Sequence, residues 1–552
     1  MSKSIAPHLI RLLSQLNGAS VPELDARVAT LCESLEQGHV CLPAETDELV
    51  LRKLHACSVV GDPGAFRPLI LDAAGRLYLQ RYWDHENRLA LQLLARASAR
   101  PEYDAALLAA GVAQFLGDAA PEQRAAVENA VTRGFSVITG GPGTGKTYTA
   151  TVALVLLATQ FSAGGTGGRI AIAAPTGKAA ARIGESLAAT LAKFDLSPEV
   201  RALLPAEAST VHRLLGSRPG SPDFKHDARN PLNADVVVVD ESTMVDLPLM
   251  ARLFDALRPD ARVVLLGDKD QLASVEAGHV LGDICTGLHD GTVGPLRSNI
   301  TELTRNYRFG EDSSIHRLSR AIRAGTEAGV QRLLATDRAD LASLEISSSL
   351  FAQLASRVVA GFRGYLGAAT PAEALARFTD YRILTATRNG EASAEQLNRL
   401  TERALSEAKL IQTNERYYAG RPILIRRNDY NLRLFNGDIG IVLPDADSGG
   451  ELRAFFAGEN GGVRALAPTR LPEHETAFAM TVHKSQGSEF RRVLVVLPPR
   501  DVPVLSRELL YTAVTRAREN VELWWNAASL APCLSRGVQR FSGLRERLWS
   551  PV

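Results

Sequence analysis

The chain has 552 residues, 45% hydrophobic and 22% charged, a balance that excludes a disordered or fibrous chain. At this length roughly three to four packed domains are expected. A net charge of +1 rules out arguing a nucleic-acid partner from bulk charge, so any basic surface must be local.

The five cysteines are scattered, with neither a disulfide framework nor metal-ligand spacing. A reduced, cytosolic setting fits best. Met1 to Pro7 lacks the apolar run of a signal peptide, and the longest apolar run is too short to span a bilayer.

Residues 1–110 are expected to form a mostly helical domain. Turn signals at Gly61-Asp62-Pro63-Gly64 and Ala73-Ala74-Gly75 precede a predicted strand, Leu77-Tyr78-Leu79-Gln80-Arg81-Tyr82-Trp83, with a helix expected after it. From residue 111 the texture changes. Short β-branched runs at 169–174, 235–240, 262–267, 381–385, 492–497 and 521–525 alternate with helical stretches, the pattern of parallel sheets covered on both faces.

The runs fall into two α/β domains, 111–300 and 301–404 plus 471–552. A β-rich interruption at 405–470 reads as a small inserted barrel. Residues 217–233, rich in Pro, Gly and Asn, read as a smaller insertion in the first domain.

Gly140-Gly141-Pro142-Gly143-Thr144-Gly145-Lys146-Thr147 fits the phosphate-loop pattern, between a predicted strand at 135–139 and a predicted helix at 148–161. Backbone N–H groups and a helix N-terminus then converge on one anion site. Lys146 would reach the β- and γ-phosphates of ATP, and the Thr147 hydroxyl would hold Mg²⁺.

The apolar run Val236-Val237-Val238-Val239 ends in Asp240-Glu241. Asp240 suits Mg²⁺, and Glu241 suits orienting the attacking water. Gln271, in Gly267-Asp268-Lys269-Asp270-Gln271, is placed to report an intact γ-phosphate. Arg308 and Arg516 are expected to reach across a cleft from the second α/β domain and stabilise charge developing on the phosphate. Glu407-Ala408-Lys409 matches the end of a nuclease pattern but is expected to be surface charge.

Over residues 111–545 this order of motifs resembles superfamily 1 helicases. The resemblance implies two RecA-like P-loop motor domains and an SH3-like inserted barrel. It makes Gln123, in Pro121-Glu122-Gln123, the adenine reader. It makes Pro175, Thr176, Thr210 and His212 contacts to single-stranded DNA. In Thr481-Val482-His483-Lys484-Ser485-Gln486-Gly487-Ser488-Glu489-Phe490, Thr481 and His483 would face DNA, and Gly487 and Glu489 the nucleotide.

Within that superfamily the chain is most similar to the RecD family, the α subunits of exodeoxyribonuclease V. Leu35-Glu36-Gln37-Gly38-His39-Val40-Cys41-Leu42, the 481–490 block and the tail Arg540-Phe541-Ser542-Gly543-Leu544 carry this. The resemblance implies 5′→3′ translocation on single- and double-stranded DNA ends in break repair. It also implies RecB-like and RecC-like partners in a heterotrimer, docking through the N-terminal domain, and a nuclease held by a partner. The implied setting is the bacterial cytoplasm, associated with the nucleoid and with no membrane. A free-standing 5′→3′ helicase of the same superfamily is the alternative. One departure is Asn389-Gly390-Glu391-Ala392-Ser393, where a second glycine is expected near the end of the loop.

Overall fold

The computed structural model describes residues 5–117, 120–165, 167–218, 220–288, 294–310, 312–336, 338–346, 350–429, 431–458 and 462–549. Two parallel sheets organise it. The first has six strands in the order Ser209–Thr210, Ile170–Ala174, Val236–Val239, Arg262–Gly267, Phe135–Gly140 and Ile300–Leu303. Every pairing in it is parallel.

Alternation along these strands feeds two cores. Ile138, Val238 and Leu266 pack under the helix Lys146–Ala163. Val137, Val237 and Leu265 pack on the other face with Leu89 and Leu93 of the helix Gln80–Ser98. The N-terminal region thus shares a core with the first sheet and covers one of its faces.

That packing corrects two expectations. The predicted strand over Leu77 to Trp83 stops at Leu79, and the helix Gln80–Ser98 begins at the next residue. Trp83, Glu86, Leu89, Ala90 and Leu93 lie buried at helical spacing, and burying them along one face outweighs local β-propensity. The boundary at 110 falls inside the helix Ala105–Leu116, whose Leu108, Val112 and Leu116 belong to the core under Lys146–Ala163. The N-terminal region itself combines helices Ala6–Asn17, Pro22–Glu36 and Glu48–His55 with a three-stranded sheet, Val60–Gly61, Leu69–Leu71 and Leu77–Leu79.

The boundary at 300 shifts as well. Ile300–Leu303 pairs with Phe135–Gly140, so the first sheet runs on through Leu303. The second sheet follows the order Leu341–Glu345, Ala517–Trp525, Phe490–Val496, Tyr381–Thr385 and Ala479–Thr481, again all parallel.

Inserted in sequence between the strands Tyr381–Thr385 and Ala479–Thr481 of the second sheet lies an antiparallel five-stranded sheet. Its order is Val463–Leu466, Glu451–Ala457, Ile439–Asp445, Pro422–Ile425 and His474–Thr476. It therefore extends past residue 470. Its own small core holds Ile423, Ile425, Leu434, Val442 and Phe456.

The C-terminal tail leaves the second sheet altogether. Val40 N–H donates to Phe541 O, and the His39 ring stacks on Phe541 at 4.6 Å. Arg547, in the helix Leu544–Trp549, pairs with fully buried Glu86. Residues 540–549 belong structurally to the N-terminal region and first sheet, not to the second unit as expected. Among the described residues no helix is long and apolar enough to cross a membrane.

Candidate active site

Parallel strands bring the sequence-predicted chemistry to one edge. Thr139 is in register with Gly267, and Val239 with Leu265. The phosphate loop, Asp240-Glu241 and the Asp268–Gln271 turn thus leave the carboxyl ends of neighbouring strands, where α/β sheets bind ligands. They open on a cleft of about 400 Å³ whose lining includes Lys146, Thr147, Asp240, Glu241, Gln271 and Arg516.

The loop takes its shape from two left-handed glycines, Gly143 (φ 81°) and Gly145 (φ 84°). Gly143 also has no room for a side chain, since a Cβ there would lie 2.5 Å from the Arg308 Cβ. Lys146 Nζ donates to the carbonyls of Gly140 (2.6 Å) and Gly141 (3.1 Å), and Thr144 Oγ1 donates to Gly141 O. Pro142 lines the cleft beside them.

Glu241 adopts φ 49°, a left-handed conformation rare for a side-chain-bearing residue. Its N–H donates to Asp240 Oδ1. Burial, then the neighbouring Glu241 charge, push the Asp240 carboxyl up to about 6. The Thr147 hydroxyl and the Asp240 carboxylate are hard oxygen donors on one cleft, the donor chemistry of Mg²⁺.

The second unit supplies Gly487, Glu489 and Arg516. Arg516 is buried and fixed by its own neighbourhood, with Nε donating to Thr512 O (3.1 Å) and Nη1 to Ser488 O (3.2 Å). Burial lowers its pKa. Glu489 is ringed by guanidinium groups, Arg182 at 2.6 Å, Arg308 at 2.8 Å and Arg518 at 3.1 Å. Burial alone would raise its carboxyl, but Arg182 and Arg308 outweigh that and hold it at about 2.

Arg308 corrects an expectation. It does not enter from the second unit. It sits on the connector just after the strand Ile300–Leu303, in a turn pinned to the phosphate loop. Tyr307 N–H donates to Gly143 O (2.7 Å) and Asn306 Nδ2 to Pro142 O (2.8 Å). The extra strand in the first sheet carries this turn to the loop.

Gln123 lies beneath the loop. Its Nε2 donates to Thr149 Oγ1 (3.2 Å) and its Oε1 accepts from Tyr307 Oη (2.7 Å), so both ends of the amide are engaged.

The predicted DNA contacts sit at helix starts and strand ends. Thr176 caps the helix Gly177–Leu191, accepting from Ala179 N–H, with Pro175 just before it. Thr210 caps Val211–Leu215, accepting from Arg213 N–H. Such N-termini suit phosphates. His212 is exposed and meets Phe224 edge-on at 5.8 Å. Thr481 ends the strand Ala479–Thr481, and His483 opens the short helical turn after it. Burial, then Arg540, lower the His483 pKa.

The inserted sheet reaches this face as well. Phe435 packs where a Gly177 side chain would project, and Arg213 lies 4.7 Å from its ring centroid. Glu407 ends the helix Ala394–Glu407 and pairs with Arg403 on the surface, a structural use of that charge.

Sequence reasoning missed Arg182, Tyr307, Asp268 and Tyr511. No local pattern marked Arg182, one basic residue on the helix Gly177–Leu191.

The family described as an AAA domain matches residues 123–277, and the UvrD-like helicase C-terminal domain matches residues 476–523. The RecBCD enzyme subunit RecD of Mycolicibacterium smegmatis is 40% identical over 98% of this chain and 96% of its own length. The chain belongs to the RecD family. The RecD of Haemophilus influenzae is 36% identical over 86% of this chain and 80% of its own. The family's likeness extends to the ATP-dependent RecD2 DNA helicase of Deinococcus radiodurans, 31% identical over 81% of this chain but 54% of that protein.

Proposed function

We propose that this chain is an ATP-driven 5′→3′ DNA helicase and translocase, acting as the RecD subunit of a RecBCD-type exonuclease V in double-strand-break repair. One observation carries the reading. Arg516 and Glu489 of the second α/β unit face Lys146, Asp240 and Glu241 of the first across a single cleft, with Arg308 between them. A nucleotide held there touches both units, so its hydrolysis changes how they sit together.

In this reading Lys146 and the loop amides of residues 140–147 bind the triphosphate. Thr147 and Asp240 hold Mg²⁺, which when bound neutralises phosphate charge. Glu241 orients the attacking water, Gln271 contacts the γ-phosphate, and Arg308 and Arg516 stabilise the charge that develops. Gln123 reads adenine after exchanging one of its partners, and Gly487 and Glu489 meet the nucleotide from the second unit. Pro175, Thr176, Thr210, His212, Thr481 and His483 hold single-stranded DNA, through phosphate contacts that position without reading sequence.

The units 105–308 and 309–539 are the two RecA-like motors, the sheet over 422–476 an SH3-like barrel, and the N-terminal region the partner-docking domain. RecB-like and RecC-like subunits complete the heterotrimer, one of them supplying the nuclease.

ATP turnover by the purified chain, with and without single-stranded DNA, tests the motor. Strong stimulation is expected, abolished by Lys146→Gln. DNA-independent turnover points instead to a phosphotransferase. Pull-down of the tagged native protein tests the assembly, since two large co-purifying subunits support it and a lone monomer favours a free-standing helicase.

A further inference from the structure

Arg308 faces a conflict. Its backbone is pinned beside Gly143, next to where phosphates bind, yet its guanidinium donates to Glu489 at 2.8 Å. To serve a γ-phosphate it must let go of a buried carboxylate. A buried carboxylate stripped of its partner is strongly unfavourable.

Arg182 resolves this. It lies on the helix Gly177–Leu191 of the first unit and reaches the same oxygen, Glu489 Oε1, at 2.6 Å. Its Nη1 also donates to Gly487 O at 3.3 Å, which aims the guanidinium across the cleft. Arg518 touches only the other oxygen and is more than half exposed, so solvent weakens its hold.

We propose that Arg182 is the counter-ion that releases Arg308 from Glu489 when a nucleoside triphosphate enters the cleft. The γ-phosphate draws Arg308 away, Arg182 keeps Glu489 paired, and the Arg182–Glu489 bridge persists as a tie between the two units. Without Arg182 the carboxylate retains Arg308, and the γ-phosphate goes underserved. Arg182 is thus a positioning residue, acting through Glu489. The inference rests on the ATP-site reading above and adds to it how the arginine is made available.

The test uses the full-length chain with Arg182→Gln, Arg182→Lys, Glu489→Gln and the Arg182→Gln/Glu489→Gln double variant. Affinities for Mg·ATP and Mg·ADP are measured by calorimetry, alongside ATPase kinetics on single-stranded DNA. Arg182→Gln should lower kcat about tenfold, raise KM for ATP, and weaken ATP more than ADP, because only ATP calls on Arg308. Arg182→Lys should recover most of the loss.

The decisive arm is the double variant. Removing the carboxylate that traps Arg308 should leave kcat above the product of the two single defects, a suppression that independent structural roles would not produce. A double variant at or below the product of the single defects overturns the proposal. So does an unchanged ratio of ATP to ADP affinity in Arg182→Gln. If the unaltered chain shows no DNA-stimulated turnover, the motor reading fails instead, and the affinity ratio still decides the role of Arg182.

Discussion

Tyr511 Oη donates to Asp268 Oδ2 at 2.9 Å, joining the second α/β unit to the turn that carries Gln271. The same oxygen accepts from Gln271 Nε2, also at 2.9 Å. One buried carboxylate oxygen therefore links the predicted γ-phosphate sensor to the helix Arg507–Val514, whose Thr512 carbonyl anchors Arg516. Tyr511→Phe should lower kcat about tenfold on single-stranded DNA, with KM for ATP nearly unchanged, because the contact transmits rather than binds. Steady-state ATPase kinetics check this, and an unaltered kcat would show that the contact is merely structural.

Leu272 gives that link a mechanical partner. Its side chain is buried in the core of the second unit, with Ile315, Leu318 and Leu510. Its N–H donates to Thr512 Oγ1 (2.9 Å), and its carbonyl accepts from Gln486 Nε2 (2.7 Å). A loop of the first unit thus ends as a peg in the second. Leu272→Ala should destabilise by about 2–5 kcal/mol. It should also raise the ATP consumed per base pair unwound, which parallel ATPase and unwinding assays would read. A variant that loses both activities in step would argue against the peg as a transmission element.

The phosphate loop and Asp240-Glu241 are legible because each is a local run of residues whose order along the chain is informative. The Asp268–Tyr511 and Arg182–Glu489 contacts are not, since each joins residues hundreds of positions apart that only the folded cleft brings together. The side from which Arg308 enters was misread for a related reason. Ile300-Thr301-Glu302-Leu303 looks equally suited to open a new sheet or to close the old one, and pairing with Phe135–Gly140 decides it. The helix expected after the 77–83 strand starts earlier, at Gln80, because the spacing of Trp83, Glu86, Leu89 and Leu93 outweighs the local β-propensity of Tyr82 and Trp83.

The tail makes a stability prediction. Glu86 is fully buried and accepts from Arg547 Nε (3.0 Å), Ser542 Oγ (3.1 Å) and Gly543 N–H (3.0 Å). Arg547→Met strands that carboxylate and should destabilise by about 3–5 kcal/mol. Adding Glu86→Gln should recover part of the loss. Thermal melts of the two variants test it, and additive losses would mean that the pair does not act as a unit.

A pH prediction follows from Asp240. Burial and Glu241 raise its carboxyl to about 6, so below that pH the free protein holds a proton where Mg²⁺ would bind. Metal binding must displace that proton. Affinity for Mg·ATP should therefore weaken by about tenfold per pH unit as pH falls below 6, and level off above 7. Calorimetry at a series of pH values, with Asp240→Asn as control, reads the slope. A flat profile between pH 5 and 7 would remove Asp240 as the titrating ligand.

Ala392 occupies the place where a glycine was expected, and its backbone keeps the glycine conformation with φ 52°. Two bonds force it there. Thr385 Oγ1 donates to Ala392 O (2.6 Å), and Ala392 N–H donates to Gln396 Oε1 (2.6 Å). A left-handed alanine carries about 1–2 kcal/mol of strain relative to its preferred regions. Glycine relieves the strain but gives the unfolded chain more freedom, which offsets part of the gain. Its buried methyl is also lost. Ala392→Gly should therefore shift stability by no more than about 1 kcal/mol in either direction, and leave DNA-stimulated ATPase within twofold. Denaturant melts and ATPase assays check both. A large loss of activity would mean that the methyl group itself, and not the shape of the turn, matters to the cleft.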